Sequence, residues 1–247
     1  MSYPYRSQVR WSFGGPLTPA VKGIIVASIG VFILQSLSRP FELLFQLEPA
    51  RVLGSFYFWQ PVTYIFLHGG IFHLFINMLI LFLFGGEMER LWGTRFFLRY
   101  YLICGVGAGL FALIPGYPVV GASGAIYGLL VAFAMYFPNR VIYMNVLLLF
   151  FFPIQAKYFV IIMGLISFLS SLGGAASGIS HFAHLGGLVV GYVYLRLGGR
   201  RKRDLGSSTS LAGAVRQAYQ RWRIKRLRRK FEQYYQKRSG GGDPWVH

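Results

Sequence analysis

GASGAIYGLLVAFAMYF, residues 121–137, carries no charged residue, yet it opens with Ser123 and sets Tyr127 one helical turn behind it. Read as a helix, the stretch is an apolar span of about 121–137 with a hydroxyl near its start. Gly124 and Gly128 give it a GxxxG pattern, which lets helix backbones approach closely in a membrane. Ser123 is then either one more small packing residue or a reactive group. The surrounding sequence bears on which.

Outward from this stretch the chain stays apolar. Of its 247 residues 55% are hydrophobic and only 13% charged, and its mean hydropathy is +0.49. A soluble domain carries about a quarter charged residues. The shortfall concentrates between residues 20 and 198, the pattern of several membrane spans, because an ionised group is costly in hydrocarbon. The apolar runs predict helical spans at about 20–37, 70–86, 96–114, 121–137, 158–174 and 180–197. The run 141–156, VIYMNVLLLFFFPIQA, is short and closes on Pro153, so it reads as an interfacial or re-entrant piece. The polar, aromatic start, MSYPYRSQVRWSFGGP, lacks the pattern of a cleavable signal, and the first run reads as a retained span.

Charge orients these spans. With six, both chain ends fall on one side, which receives Arg6, Arg10, Lys22, Arg90, Arg95, Arg99, Arg140, Lys157 and Arg196. The opposite side receives only Arg39 and Arg51. Cations favour the cytoplasmic side, so both ends are predicted there, in a bacterial plasma membrane on this minimal layout. The organisation is a cytoplasmic segment 1–19, a six-helix all-α membrane domain 20–198 and a basic cytoplasmic tail 199–247. Much of the net charge of +18 lies in that tail. Within 207–238, Leu211, Val215, Trp222, Leu227, Phe231 and Tyr234 recur at near-helical spacing between cations. This predicts an amphipathic helix on anionic lipid, and no nucleic-acid partner is expected. The single cysteine, Cys104, excludes an internal disulfide and a cysteine-based metal site; no metal or cofactor is expected.

Polar residues inside spans mark function by default. His73 and Asn77 share a helix face at i, i+4. Both lie in the outer part of the second span, which runs inward from outside. Ser123 starts the fourth span and His184 lies one turn into the sixth, both of which also enter from outside. A topology set by hydropathy and charge thus brings these residues to one depth. A serine hydroxyl needs a base, most often histidine, and His184 is available. No carboxylate lies at that depth, so the unit is a dyad, with the Tyr127 ring placed to orient the imidazole. His73, the Asn77 amide and the Ser123 backbone N–H are candidate donors to an oxyanion. His181 and His68 read as residues nearer water. Gly105/Gly109, Gly124/Gly128 and Gly187/Gly191 read as helix-packing pairs.

Taken together, these residues resemble a rhomboid intramembrane serine protease. GASG resembles the family's G-x-S-G, and AHLGGLVVG (183–191) its A-H-x-x-G-x-x-x-G, matching Gly187 and Gly191. HLFIN (73–77) resembles H-x-x-x-N, and EMERLWG (87–93) resembles E-x-x-x-G, matching Glu89 and Gly93. WQPVTYIFLH (59–68) resembles W-R-x-x-T…F-L-H of the first outer loop, beginning at Trp59, with Gln60 where the family has arginine.

The resemblance implies a six-helix rhomboid bundle, Ser123 as nucleophile, His184 as base, and His73 and Asn77 as oxyanion donors. It implies that transmembrane proteins are cut near the outer face. Two other readings compete: an inactive rhomboid-like protein that holds membrane clients, and a proton-coupled transporter using the histidines. The intact serine and histidine disfavour the first, and the apolar inner halves of the spans disfavour the second.

Overall fold

The computed structural model describes residues 15–146, 150–172 and 181–197; the amphipathic helix expected at 207–238 lies outside them, as does the rest of the basic tail. The described chain is mostly helical. Helix α1 (Pro19–Leu37) starts on a proline, which suits the first turn because its missing N–H would be unpaired there anyway. Two further backbone donors of that turn, the N–H groups of Ala20 and Val21, reach the Glu89 carboxylate at 2.9 and 3.0 Å, and the Thr94 hydroxyl donates to the same group at 2.7 Å. Glu89 therefore caps α1 from a distant helix and ties three segments together.

Between α1 and the next long helix the chain makes short pieces: α2 (Arg39–Phe45), α3 (Pro49–Gly54), α4 (Gln60–Thr63) and a 3-10 turn (Tyr64–Phe66). This folded loop reaches the segment ahead of Ser123. Leu47 and Val119 exchange backbone hydrogen bonds at 3.0 and 2.9 Å, and the Gly121 N–H donates to the Tyr64 carbonyl at 2.9 Å.

Helix α5 (Ile71–Ile80) passes through a π-helical turn (Leu81–Gly85) into α6 (Gly86–Trp92). The second span is thus one rod over Ile71–Trp92, longer than the predicted 70–86, because EMER continues the helix despite its charges. It breaks at Gly93, whose φ of 78° lies where a side chain would be strained. Helix α7 (Thr94–Ala112) follows, then α8 (Ser123–Tyr136).

Residues 141–156, read above as an interfacial or re-entrant piece, contain an antiparallel hairpin, β1 (Val141–Val146) with β2 (Phe150–Gln155), in register Val141 with Gln155. Its base is closed by the Ala156 N–H on the Arg140 carbonyl, and the Arg140 guanidinium pairs with Glu87 of α6. Helices α9 (Ala156–Leu172) and α10 (His181–Leu197) complete the described chain.

Helix α8 is buried along nearly its whole length and packs against α7 and α10. The outer helices present apolar side chains outward: Ile33 and Leu34 on α1, Phe72 and Phe75 on α5, Leu165 and Phe168 on α9. In water such surface would be a liability; against lipid it is the favoured face. Three helices, Pro19–Leu37, Ile71–Trp92 and Thr94–Ala112, are long and apolar enough to cross a membrane, and α8 and α9 are shorter apolar helices.

Candidate active site

The two glycine pairs of α8 and α10 meet. A Cβ at Gly187 would stand 1.9 Å from the Gly124 carbonyl oxygen, and one at Gly191 would stand 2.9 Å from the Gly128 Cα. A Cβ at Gly124 would fall 2.4 Å from the Ala108 Cβ of α7 and 3.2 Å from the Ala183 carbonyl oxygen of α10. Only hydrogen fits at these positions. The backbones of α8 and α10 approach closely enough for short side chains to touch across them.

Ser123 is the first residue of α8 and His184 lies one turn into α10. The imidazole Nε2 and the serine Oγ are 2.9 Å apart. For the hydroxyl to donate, Nε2 must be the unprotonated ring nitrogen and Nδ1 must carry the hydrogen. Tyr127 stacks on His184 with ring centroids 4.2 Å apart and planes 7° from parallel. The flat stack restricts rotation of the imidazole, an orienting task that a hydrogen-bonded carboxylate performs in a triad.

The candidate donors lie on α5 and at the start of α8. Because α8 begins at Ser123, the N–H groups of its first turn have no acceptor within the helix. The Asn77 Nδ2 is buried and has no hydrogen-bond partner among the described residues. An unpartnered buried donor costs about 1–3 kcal/mol, a cost offset when an acceptor arrives. His73 lies four residues earlier on α5, against the glycine loop. A Cβ at Gly121 would come 2.8 Å from the His73 ring, and Gly121 has a φ of 125°. Glycine is required there for two reasons, the backbone turn and the approach of the imidazole.

His68, read above as a residue nearer water, is fully buried within the protein. Gln35 of α1 clamps its backbone, donating to the His68 carbonyl at 2.6 Å and accepting from its N–H at 3.0 Å. Its ring lies 5.3 Å from that of His73. No local pattern could announce this, since the clamp comes from a helix some thirty residues earlier in the chain.

Gln60, standing where the resemblance has arginine, is also fully buried. Its Oε1 accepts from the Glu48 N–H at 3.0 Å and its Nε2 donates to the Leu44 carbonyl at 3.2 Å. The Trp59 indole donates to the same carbonyl at 3.0 Å. A neutral amide therefore joins the loop's two arms, and Arg51 brings a guanidinium to the Leu43 carbonyl at 2.7 Å. No group of histidine, cysteine or acidic side chains with metal-binding geometry occurs among the described residues.

Comparison with known proteins identifies the family. The family model described as "Rhomboid domain" matches residues 55–201. The chain is 35% identical over 136 residues to "Rhomboid protease GluP" of Bacillus subtilis, covering 54% of this chain and 25% of that protein. It is 34% identical over 139 residues to "RHOMBOID-like protein 4" of Arabidopsis thaliana, covering 55% and 32%. It is 30% identical over 194 residues to "Rhomboid protein 1, mitochondrial" of Saccharomyces cerevisiae, covering 72% and 52%. The chain spans from a quarter to about half the length of these relatives. With the domain matched over more than half of its length, the chain belongs to the rhomboid family, whose named relatives include proteases.

Proposed function

We propose that this chain is an intramembrane serine endopeptidase that cleaves transmembrane segments of other proteins with a Ser123–His184 dyad. The observation that carries the proposal is the 2.9 Å approach of His184 Nε2 to Ser123 Oγ beneath the stacked Tyr127. In this reading His184 takes the hydroxyl proton as Ser123 Oγ bonds to the scissile carbonyl carbon. The carbonyl oxygen becomes an oxyanion and accepts from Asn77 Nδ2, His73 and the Ser123 N–H. His184 returns the proton to the leaving amine as the peptide bond breaks. Water, deprotonated by the same imidazole, then releases the acyl group from Ser123.

Helix length supports the depth of the reaction. Helix α8 has 14 residues, a rise of about 21 Å against about 30 Å of hydrocarbon. Its C-terminal end leads into Pro138, Asn139 and Arg140, polar enough to rest at a headgroup layer. Ser123 then lies roughly 10 Å inside the opposite face. The proposal takes α1, the α5–α6 rod, α7, α8, α9 and α10 as six spans with both termini cytoplasmic, in a bacterial plasma membrane. It includes attachment of the basic tail, as an amphipathic helix, to anionic lipid of the inner leaflet. Substrates are transmembrane proteins with a segment that unwinds readily, because a helical peptide bond is shielded from attack.

The test is cleavage of a single-span substrate in proteoliposomes. Ser123→Ala and His184→Ala should each abolish cleavage while the protein still folds, and a fluorophosphonate should label the parent chain but not Ser123→Ala. Most activity surviving in Ser123→Ala would end the protease reading. Absence of labelling and cleavage in the folded parent chain would leave the client-binding alternative.

A further inference from the structure

Helix α1 carries one side-chain amide, Gln35, among apolar residues near its C-terminal end. Leu34 before it faces outward, and the Ser36 hydroxyl after it returns to the Phe32 carbonyl of the same helix. Gln35 instead crosses to the loop ahead of α5. Its Nε2 donates to the His68 carbonyl at 2.6 Å and its Oε1 accepts from the His68 N–H at 3.0 Å. A primary amide suits this task, because it carries a donor and an acceptor side by side. The His68 carbonyl and the Gly69 N–H belong to one planar peptide, which is trans, so they point in opposite directions. With the carbonyl held by Gln35, the Gly69 N–H faces the other way and donates to His73 Nδ1 at 3.4 Å. A backbone N–H can only donate. Nδ1 is therefore the acceptor, and the hydrogen of the neutral imidazole stands on Nε2. On that side the ring meets the glycine loop: a Cβ at Gly121, two residues before Ser123, would lie 3.0 Å from Nε2.

We propose that Gln35 is a positioning residue for the oxyanion site: by clamping the His68 backbone it aims the Gly69 N–H at His73 Nδ1 and so keeps the His73 hydrogen on Nε2. The line of contact is continuous, from the Gln35 amide through the His68–Gly69 peptide to the His73 ring. A free neutral imidazole exchanges its hydrogen between the two nitrogens. With the hydrogen on Nδ1, His73 would turn a lone pair toward the segment ahead of Ser123, and a lone pair repels an oxyanion instead of stabilising it. The inference rests on the protease reading, in which His73 donates to the oxyanion, and Ser123→Ala tests that reading separately.

The competing view is that the clamp only ties the loop to α1. Both views expect Gln35→Met to lower the thermal midpoint, because two backbone groups lose their partners. They part at the His73 ring. Nitrogen NMR of the full chain in lipid bilayers, labelled with 15N-histidine, distinguishes a ring nitrogen that bears hydrogen from one that does not. The His73 signals are identified by their loss in His73→Ala. At a pH where the ring is neutral, the parent chain should carry the hydrogen on Nε2 alone, and Gln35→Met should show both forms. With a single-span substrate in proteoliposomes, Gln35→Met should lower kcat about five- to tenfold, the scale of one lost hydrogen bond. KM should stay near the parental value. In the His73→Ala background Gln35→Met should slow cleavage no further. Gln35→Glu, with its carboxylate ionised, keeps the acceptor for the His68 N–H and loses the donor to the carbonyl. It should show the same two forms and the same slowing, and it decides alone if Gln35→Met fails to fold. Hydrogen on Nδ1 in the parent chain would overturn the inference. So would Nε2–H alone in the Gln35 variants, or a Gln35→Met loss that persists in His73→Ala. If Ser123→Ala proves active, the dyad reading has failed instead, and the His73 ring still reports whether Gln35 sets its hydrogen.

Discussion

Gly187 of α10 sits so close to Gly124 of α8 that a Cβ added there would stand 1.9 Å from the Gly124 carbonyl oxygen. The obstacle is backbone, which cannot rotate aside as a side chain can. Gly187→Ala should therefore push α10 off α8 and destabilise the fold by about 1–3 kcal/mol or more. It should also separate His184 from Ser123. Thermal unfolding in detergent and cleavage should both fall. Gly70→Ala, at a site with open space around it, is the matched control.

Asn77 presents a buried donor with no partner among the described residues. If that donor receives the oxyanion, Asn77→Ala should lower kcat by on the order of a hundredfold with little change in KM. Removing an unpartnered group should leave the thermal midpoint level or slightly raised. A loss of stability with kcat intact would assign Asn77 to packing instead.

Gln60 joins Glu48 to Leu44 inside the first loop. Gln60→Ala leaves the part-buried Glu48 N–H without its acceptor and should cost about 1–3 kcal/mol of stability, read as a lower thermal midpoint. The loop also holds Val119 and Gly121 ahead of Ser123, so fluorophosphonate labelling should slow alongside.

His68 lies in the loop before α5, outside the membrane spans. Burial first, then the neighbouring His73, push its imidazole down from 6.5 to about 4, the Phe66 carbonyl opposing in part. The native state therefore keeps His68 neutral where the unfolded chain would protonate it. Its contribution is whole above about pH 6.5 and is lost as pH falls from there toward 4. The thermal midpoint should drop over that interval, and His68→Asn should flatten the drop. Equal pH slopes in the two proteins would refute the assignment.

The apolar segments and the polar residues that interrupt them are legible along the chain. Hydropathy marks each long apolar helix, because exclusion of charge from hydrocarbon is a property of a single segment. Helical period alone puts His73 with Asn77 and Ser123 with Tyr127, since residues four apart share a face in any α-helix. Hydropathy bounds the second span at about 70–86, whereas the helix continues through Glu87, Glu89 and Arg90 to Trp92. In the fold Glu89 is used inward, capping α1. The hairpin at 141–155 was harder to see. An apolar run with one proline lacks the alternation that marks a half-buried strand, and only pairing between Val141–Val146 and Phe150–Gln155 defines it.

By itself, then, the sequence determined which stretches are apolar enough for lipid, which polar residues interrupt them, and which of those share a helix face. Only the tertiary structure decided that a hydroxyl and an imidazole 61 residues apart come within 2.9 Å. It alone decided that Gln35 encloses His68, and that Ser167 turns inward while its neighbours face out. The reason is the range of the forces involved. Hydropathy and helical period act within a few turns of chain, whereas the meeting of Ser123 and His184 depends on how closely two distant backbones pack, and that was set by Gly124 against Gly187.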